Sequence, residues 1–235
     1  MATSTIMKKL SIFTVGAILI ALGMGGAAQA TVIDFDTDAN GNSIDAPPNF
    51  LETTALTNLY APLGVAFSGP GTLAGGAILD QLGNFGINAL SGSNFLAFNR
   101  FASLSNGSLP TDPETIRFDT PISKFSIFAS GGFESNTFQL EAFDINDVLI
   151  GTTAITTVAA QWGQLSFSQT MGNINRIVLT GVGIDNTFVY DNLSFTPAST
   201  SVPEPTSTLG VLAFGTFAAL SLRRHKHQQK VTVNM

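Results

Sequence analysis

The chain has no cysteine, and both of its histidines, His225 and His227, stand near the C-terminus. Disulfides, thiolate nucleophiles and cysteine-ligated zinc are excluded, and the rest of the chain lacks an imidazole for a catalytic triad or a transition-metal site. Basic side chains are scarce as well. Residues 31–200 contain four, Arg100, Arg117, Lys124 and Arg176, against fifteen acidic ones, a net of −11 that the whole-chain value of −6 conceals. No basic patch is available to neutralise a phosphate backbone, so nucleic-acid binding is not expected.

The other six basic residues fall in the two ends. Residues 1–30 have the three parts of a secretory signal: Lys8-Lys9, an apolar run from Leu10 to Leu22, and the small-residue site Ala28-Gln29-Ala30, with cleavage expected after Ala30. Its length is short for a membrane span. A polar linker with Val202-Pro203-Glu204-Pro205 occupies 197–205, an apolar segment runs over 206–222, and a basic tail over 223–235 begins Arg223-Arg224-His225-Lys226. Seventeen helical residues would span about 26 Å, enough for a transmembrane helix with the basic tail on the cytoplasmic side.

This order of linker, motif, apolar helix and basic stop, behind an N-terminal signal, resembles the PEP-CTERM sorting signal. The resemblance implies Sec-type export, anchoring in the inner membrane, and processing by an exosortase-like membrane protease that reads Val202, Pro203, Glu204 and Pro205. These residues would then be substrate, not catalyst. The mature protein would be localised at the cell surface or in the extracellular matrix.

The remaining piece, residues 31–196, suits one domain. Its apolar residues recur at every second position, as in Thr115 to Asp119, Lys124 to Ile127 and Phe138 to Ala142. This is the pattern of strands with one buried face. Turn clusters at Gly131-Gly132, Asn146-Asp147, Gly172-Asn173 and Gly181 to Asn186 punctuate it. About nine strands are expected from candidates near 32–36, 57–61, 64–68, 94–98, 114–119, 123–129, 137–144, 147–157, 163–169, 174–180 and 186–196. The fold class is all-β, an antiparallel β-sandwich of jelly-roll type. Residues 69–92 lack alternation and read as a surface excursion or a loose hairpin.

Three phrases, Ile33-Asp34-Phe35-Asp36, Leu59 to Phe67 and Val189 to Phe195, are similar to PEP-CTERM ectodomains that resemble jelly-roll carbohydrate-binding modules. Asp36, Asp38 and Asn40 before Gly41 are spaced like the start of a calcium loop, although Pro47 stands where the bidentate glutamate would be and an Asx-rich turn needs the same residues. Asp191 shares parity with Val189, Leu193 and Phe195, so its carboxylate falls on the face expected to be buried. It then needs a cation, backbone donors, or a bulge that turns it outward. Resemblance to the modules implies a structural calcium shared by Asp191 with Asp34 or Asp36.

Trp162, the single tryptophan, is a candidate platform for a sugar ring, with Phe133, Tyr60 and Tyr190 behind it; each also reads as core. Glu134, Glu141, Asp144 and Asp147 could supply the two carboxylates of glycoside hydrolysis, or simply solubilise the surface. The leading expectation is a non-catalytic surface protein, calcium-stabilised and polysaccharide-binding. The alternatives are a glycoside-cleaving enzyme and a purely structural matrix component. N-terminal sequencing of the exported protein should read from Thr31, whereas an intact Met1 on cytosolic protein would refute export.

Overall fold

The computed structural model describes residues 28–70, 74–99, 112–184 and 187–199. The expected signal segment up to residue 27, the Pro203-Glu204-Pro205 motif and the 206–222 helix lie outside the described residues. Among the described residues no helix is long and apolar enough to cross a membrane.

Among the described residues ten strands form: β1 (Thr31–Ile33), β2 (Val65–Ser68), β3 (Ala77–Asp80), β4 (Asn94–Asn99), β5 (Glu114–Ser130), β6 (Asn136–Phe143), β7 (Leu149–Thr157), β8 (Gly163–Ser168), β9 (Ile174–Val182) and β10 (Thr187–Pro197). All their pairings are antiparallel. The hydrogen-bonded order β3-β4-β10-β5-β9-β6-β7 is continuous, and it folds over at β5. The first half of β5 pairs with β2 and β9, and the second half with β8 and β10. Sheet I is thus β2-β5-β9-β6-β7, and sheet II is β8-β5-β10-β4-β3 with β1 on β10 beyond β4.

The expected all-β sandwich is therefore present, with corrections in its parts. Segments 114–119 and 123–129 are one strand, because the register shifts between Arg117 and Ile122 without breaking the chain's extension. Inward positions change parity there, from Ile116 and Phe118 to Phe125, Ile127 and Ala129. Residues 57–61 are not a strand; a 3-10 turn at Ala61–Leu63, ending on Gly64 at φ 75°, occupies the approach to β2. The stretch 69–92 contains β3, whose Ala77, Ile78 and Leu79 are all buried and so show no alternation.

The sheets face each other through Phe138 and Leu140 of β6 and Ile116 of β5 on one side, and Leu96, Phe98, Phe188 and Tyr190 on the other. Phe98 and Phe188 stack with centroids 5.2 Å apart, and Phe138 meets Phe188 and Tyr190 at 6.0 and 5.7 Å. A second apolar cluster lies on the outer face of sheet II. Ala77, Leu79, Phe95, Ala97 and Val189 stand there in register, covered by Phe50, Phe85, Ile87 and Ala89 from long loops.

A carboxyl group is sealed in the main core. Glu114 points inward on β5 with no exposed surface; its Oε2 accepts from Gly76 N at 3.1 Å and its Oε1 has no partner. The Tyr190 hydroxyl is likewise buried and unpaired. Gly75 and Gly76 are glycines because a Cβ on the first would come within 2.4 Å of the Glu114 carboxyl, and on the second within 2.6 Å of Leu96 and Phe98. Burial drives the Glu114 pKa well above the ordinary value, only partly offset by the Gly76 amide. A raised folded-state value means that the native state holds its proton where the unfolded chain releases it. The contribution is complete below about pH 4 and declines as pH rises past the unfolded value. Replacing Glu114 with Gln should flatten this slope, so that melting curves between pH 5 and pH 8 differ less than in the parent chain.

Candidate functional site

Strand β8 lies at the edge of sheet II and pairs only with β5. Leu165 points into the core, which sends Gln164, Ser166 and Ser168 to the outer face, with Trp162 continuing that line before the strand. The register then builds rows across the sheet. Ser166 stands opposite Ser126, Ser126 opposite Ser194, and Ser194 opposite Val32; Ser168 stands opposite Lys124, and Lys124 opposite Thr196. Gln164 faces half-buried Phe128. Strand spacing sets neighbours in a row about 4.8 Å apart, and the line from Trp162 to Ser168 runs about 20 Å.

The loops that cover the other half of this face stop at this line. A groove of about 440 Å³ remains, with walls of Ser126, Ser166, Ser168, Ser194, Thr196 and Lys124. At its Trp162 end a shallower recess of about 520 Å³ opens between Trp162, Ala160 and the loop Gly86 to Leu90. Trp162 is held, not loose: its Nε1 donates to Asn88 O at 3.1 Å, and its ring packs on the second cluster. Gly86, at φ 74°, lies against Phe133, where a Cβ would come within 2.7 Å of the ring and backbone. Phe133 itself is 60% exposed. Of the aromatic candidates, Tyr60 and Tyr190 are buried in the core, Tyr60 donating to Thr37 O at 2.9 Å, so neither offers a platform.

The acidic candidates divide into two kinds. Asp36 and Asp191 meet on one loop. Asp191 Oδ2 accepts from Leu90 N (2.8 Å) and Ser91 N (3.3 Å), and Asp36 Oδ1 from Ser93 N (2.8 Å) and Asn94 N (3.1 Å). Gly92, between these pairs at φ 56°, has room for no side chain against the Asp36 carboxylate. Asp191 is fully buried, as its parity with Val189 indicates, but beneath this loop on the outer face of sheet II, not in the main core. A bulge at Asn192, φ 49°, flips the chain so that Leu193 and Phe195 point inward. Burial raises the Asp191 pKa to about 6, against the three amides that lower it, with nearby Asp36 adding a small push upward.

Asp34 and Asp38 serve their own turns. Asp34 Oδ1 accepts from Asp36 N, Thr37 N and Thr37 Oγ1, fixing the turn in which Phe35 adopts φ 62°. Asp38 accepts from Asn40 N, Asn42 N and Asn42 Nδ2; those hydrogen bonds hold its pKa below the usual value, while Asn40 stands in solvent. Among the described residues no three acidic or histidine side chains converge as a metal site would require. Around Asp36 and Asp191, amide hydrogens already bond Asp36 Oδ1 and both Asp191 oxygens, Oδ1 of the latter accepting from Asn192 N, which leaves Asp191 poorly suited to share a calcium.

The carboxylates considered for hydrolysis lie elsewhere. Asp144 caps the β6-β7 hairpin by accepting from Asn146 N and Val148 N. Asp147 accepts from Arg176 Nε at 2.7 Å and lies 3.6 Å from Arg117, and the Arg176 hydrogen bond holds its carboxyl below the usual range. Glu141 alternates outward on β6. None of these lines the groove.

No family model matches the chain, and no curated protein matches it. Among solved structures it is similar to the K2 cleaved adhesin domain of Lys-gingipain, at 12% identity over 72% of this chain and 99% of that one, TM-score 0.43. It is also similar to the CBM22-1 xylan-binding domain of Paenibacillus barcinonensis Xyn10C, at 11% identity over 74% and 98%, TM-score 0.39. The C-terminal family 22 carbohydrate-binding module of Clostridium thermocellum Xyn10B is a further one, at 16% identity over 59% and 88%, TM-score 0.35. Likenesses this loose identify no function.

Proposed function

We propose that this is an exported, non-catalytic surface protein whose β-sandwich binds polysaccharide along the outer face of β8. The observation that carries the reading is the uncovered line Trp162, Gln164, Ser166 and Ser168, flanked by Phe128, Ser126 and Ser194, beside a half of the same sheet that its own loops seal. A sugar presents apolar ring faces rimmed by hydroxyls. An aromatic at one end and rows of hydroxyl and amide groups along the strip complement both features. Export and processing through Val202, Pro203, Glu204 and Pro205 belong to the same proposal and rest on the tripartite tail.

Full-length protein should be retarded in affinity gels containing a bound polysaccharide, and Trp162→Ala should weaken that interaction about tenfold, the effect of losing a central aromatic anchor. Because Trp162 also packs on the second cluster, Gln164→Ala, exposed and outside both clusters, should weaken binding without moving the melting midpoint. Wild-type mobility unchanged across neutral and acidic polysaccharides would overturn the reading.

For the acidic cluster we infer that backbone amides do the work first expected of calcium. Melting midpoints should then agree within a degree or so in millimolar calcium and in chelator. A rise of several degrees in calcium, as expected for an ion in hundredfold excess over its dissociation constant, would restore the shared site.

A further inference from the structure

Lys124 occupies the middle of the groove's second row, between Ser168 and Thr196, and its side chain is exposed. The other two basic residues described in the domain, Arg117 and Arg176, share Asp147, and Arg176 also lies 3.7 Å from the Phe143 ring centroid. Among the described residues, Lys124 has no ion-pair partner, and no carboxylate lines the groove. In a domain where acidic residues outnumber basic ones fifteen to four, a cation left unpaired amid neutral hydrogen-bonding groups is a selective arrangement.

We propose that the groove selects an acidic polysaccharide, one whose sugar units carry carboxylates, with Lys124 receiving a carboxylate while Ser126, Ser166 and Ser194 meet ring hydroxyls. This rests on the polysaccharide reading of the same strip and names its ligand class. The domain's net negative charge opposes a polyanion at a distance. At physiological ionic strength that repulsion is screened beyond about 8 Å, whereas the lysine acts at contact. The ammonium is exposed, so its selectivity is modest: a pair of this kind corresponds to about fivefold in affinity.

The test compares full-length protein on polygalacturonate and alginate with the methyl-esterified form of each, whose carboxylates are uncharged, and with neutral xylan and glucan. The acid forms should bind about fivefold tighter than their esters. Lys124→Gln should abolish the difference, so that each acid form binds no tighter than its ester, and Lys124→Arg should restore it. Equal binding of acid and ester, or a preference that survives in Lys124→Gln, overturns the acidic ligand while leaving polysaccharide binding in place. Absence of binding to every polymer overturns both.

Discussion

The architecture depends on the backbone ladder of β5. Every buried amide and carbonyl must find a partner, and over Glu114–Ser130 this strand supplies partners to four others: β2 and β9 along its first half, β8 and β10 along its second. Pro121, which cannot donate, sits where the register is already broken. The parity change at that point decides which side chains face the core. Lys124 and Ser126 are turned outward by it and Phe125 inward. The groove is thus a consequence of how one strand passes between two sheets.

A second constraint sets the groove's boundary. The loop between β3 and β4 folds across the outer face of sheet II and is fastened by four amide donors to two carboxylates that belong to distant parts of the chain. Asp191 tolerates burial because those amides replace the water it has lost. The bulge at Asn192 places that carboxylate on the outer face while the rest of β10 continues to fill the core. Beyond this fastening, none of the described loops covers the sheet from Gln164 to Ser168.

Much of the fold was legible because alternation survives wherever one face of a strand is solvated. Phe138, Leu140 and Ala142 in β6 and Leu165 in β8 are such cases. It failed where that condition fails: β3 is buried on both faces, and β5 crosses between sheets, so its halves read as separate strands. Burial of Asp191 was legible from parity, but its partners were not, since the amides come from residues about a hundred positions earlier. Trp162 stands out in the sequence as the single tryptophan. The serines and Lys124 come together only when the register aligns three strands. Glu114 gave no signal, because an acidic residue opening a strand is common; the neighbouring Gly75-Gly76 pair was the trace of it.

The chemistry of the strip follows from what a strand face can offer cheaply. Serine and threonine have few rotamers, so their hydroxyls are placed by the backbone and little freedom is lost when a ligand arrives. Long polar side chains in the same rows would hydrogen-bond as well but would first have to be ordered. A sheet also repeats, and a polymer repeats; hydroxyls at a fixed cross-strand spacing can be met by successive units with the same modest contact each time. Such a surface gains affinity through length more than through any one contact. If the strip binds polysaccharide as proposed, the aromatic at one end and the lysine in its second row are the groups that would limit which polymers can use it.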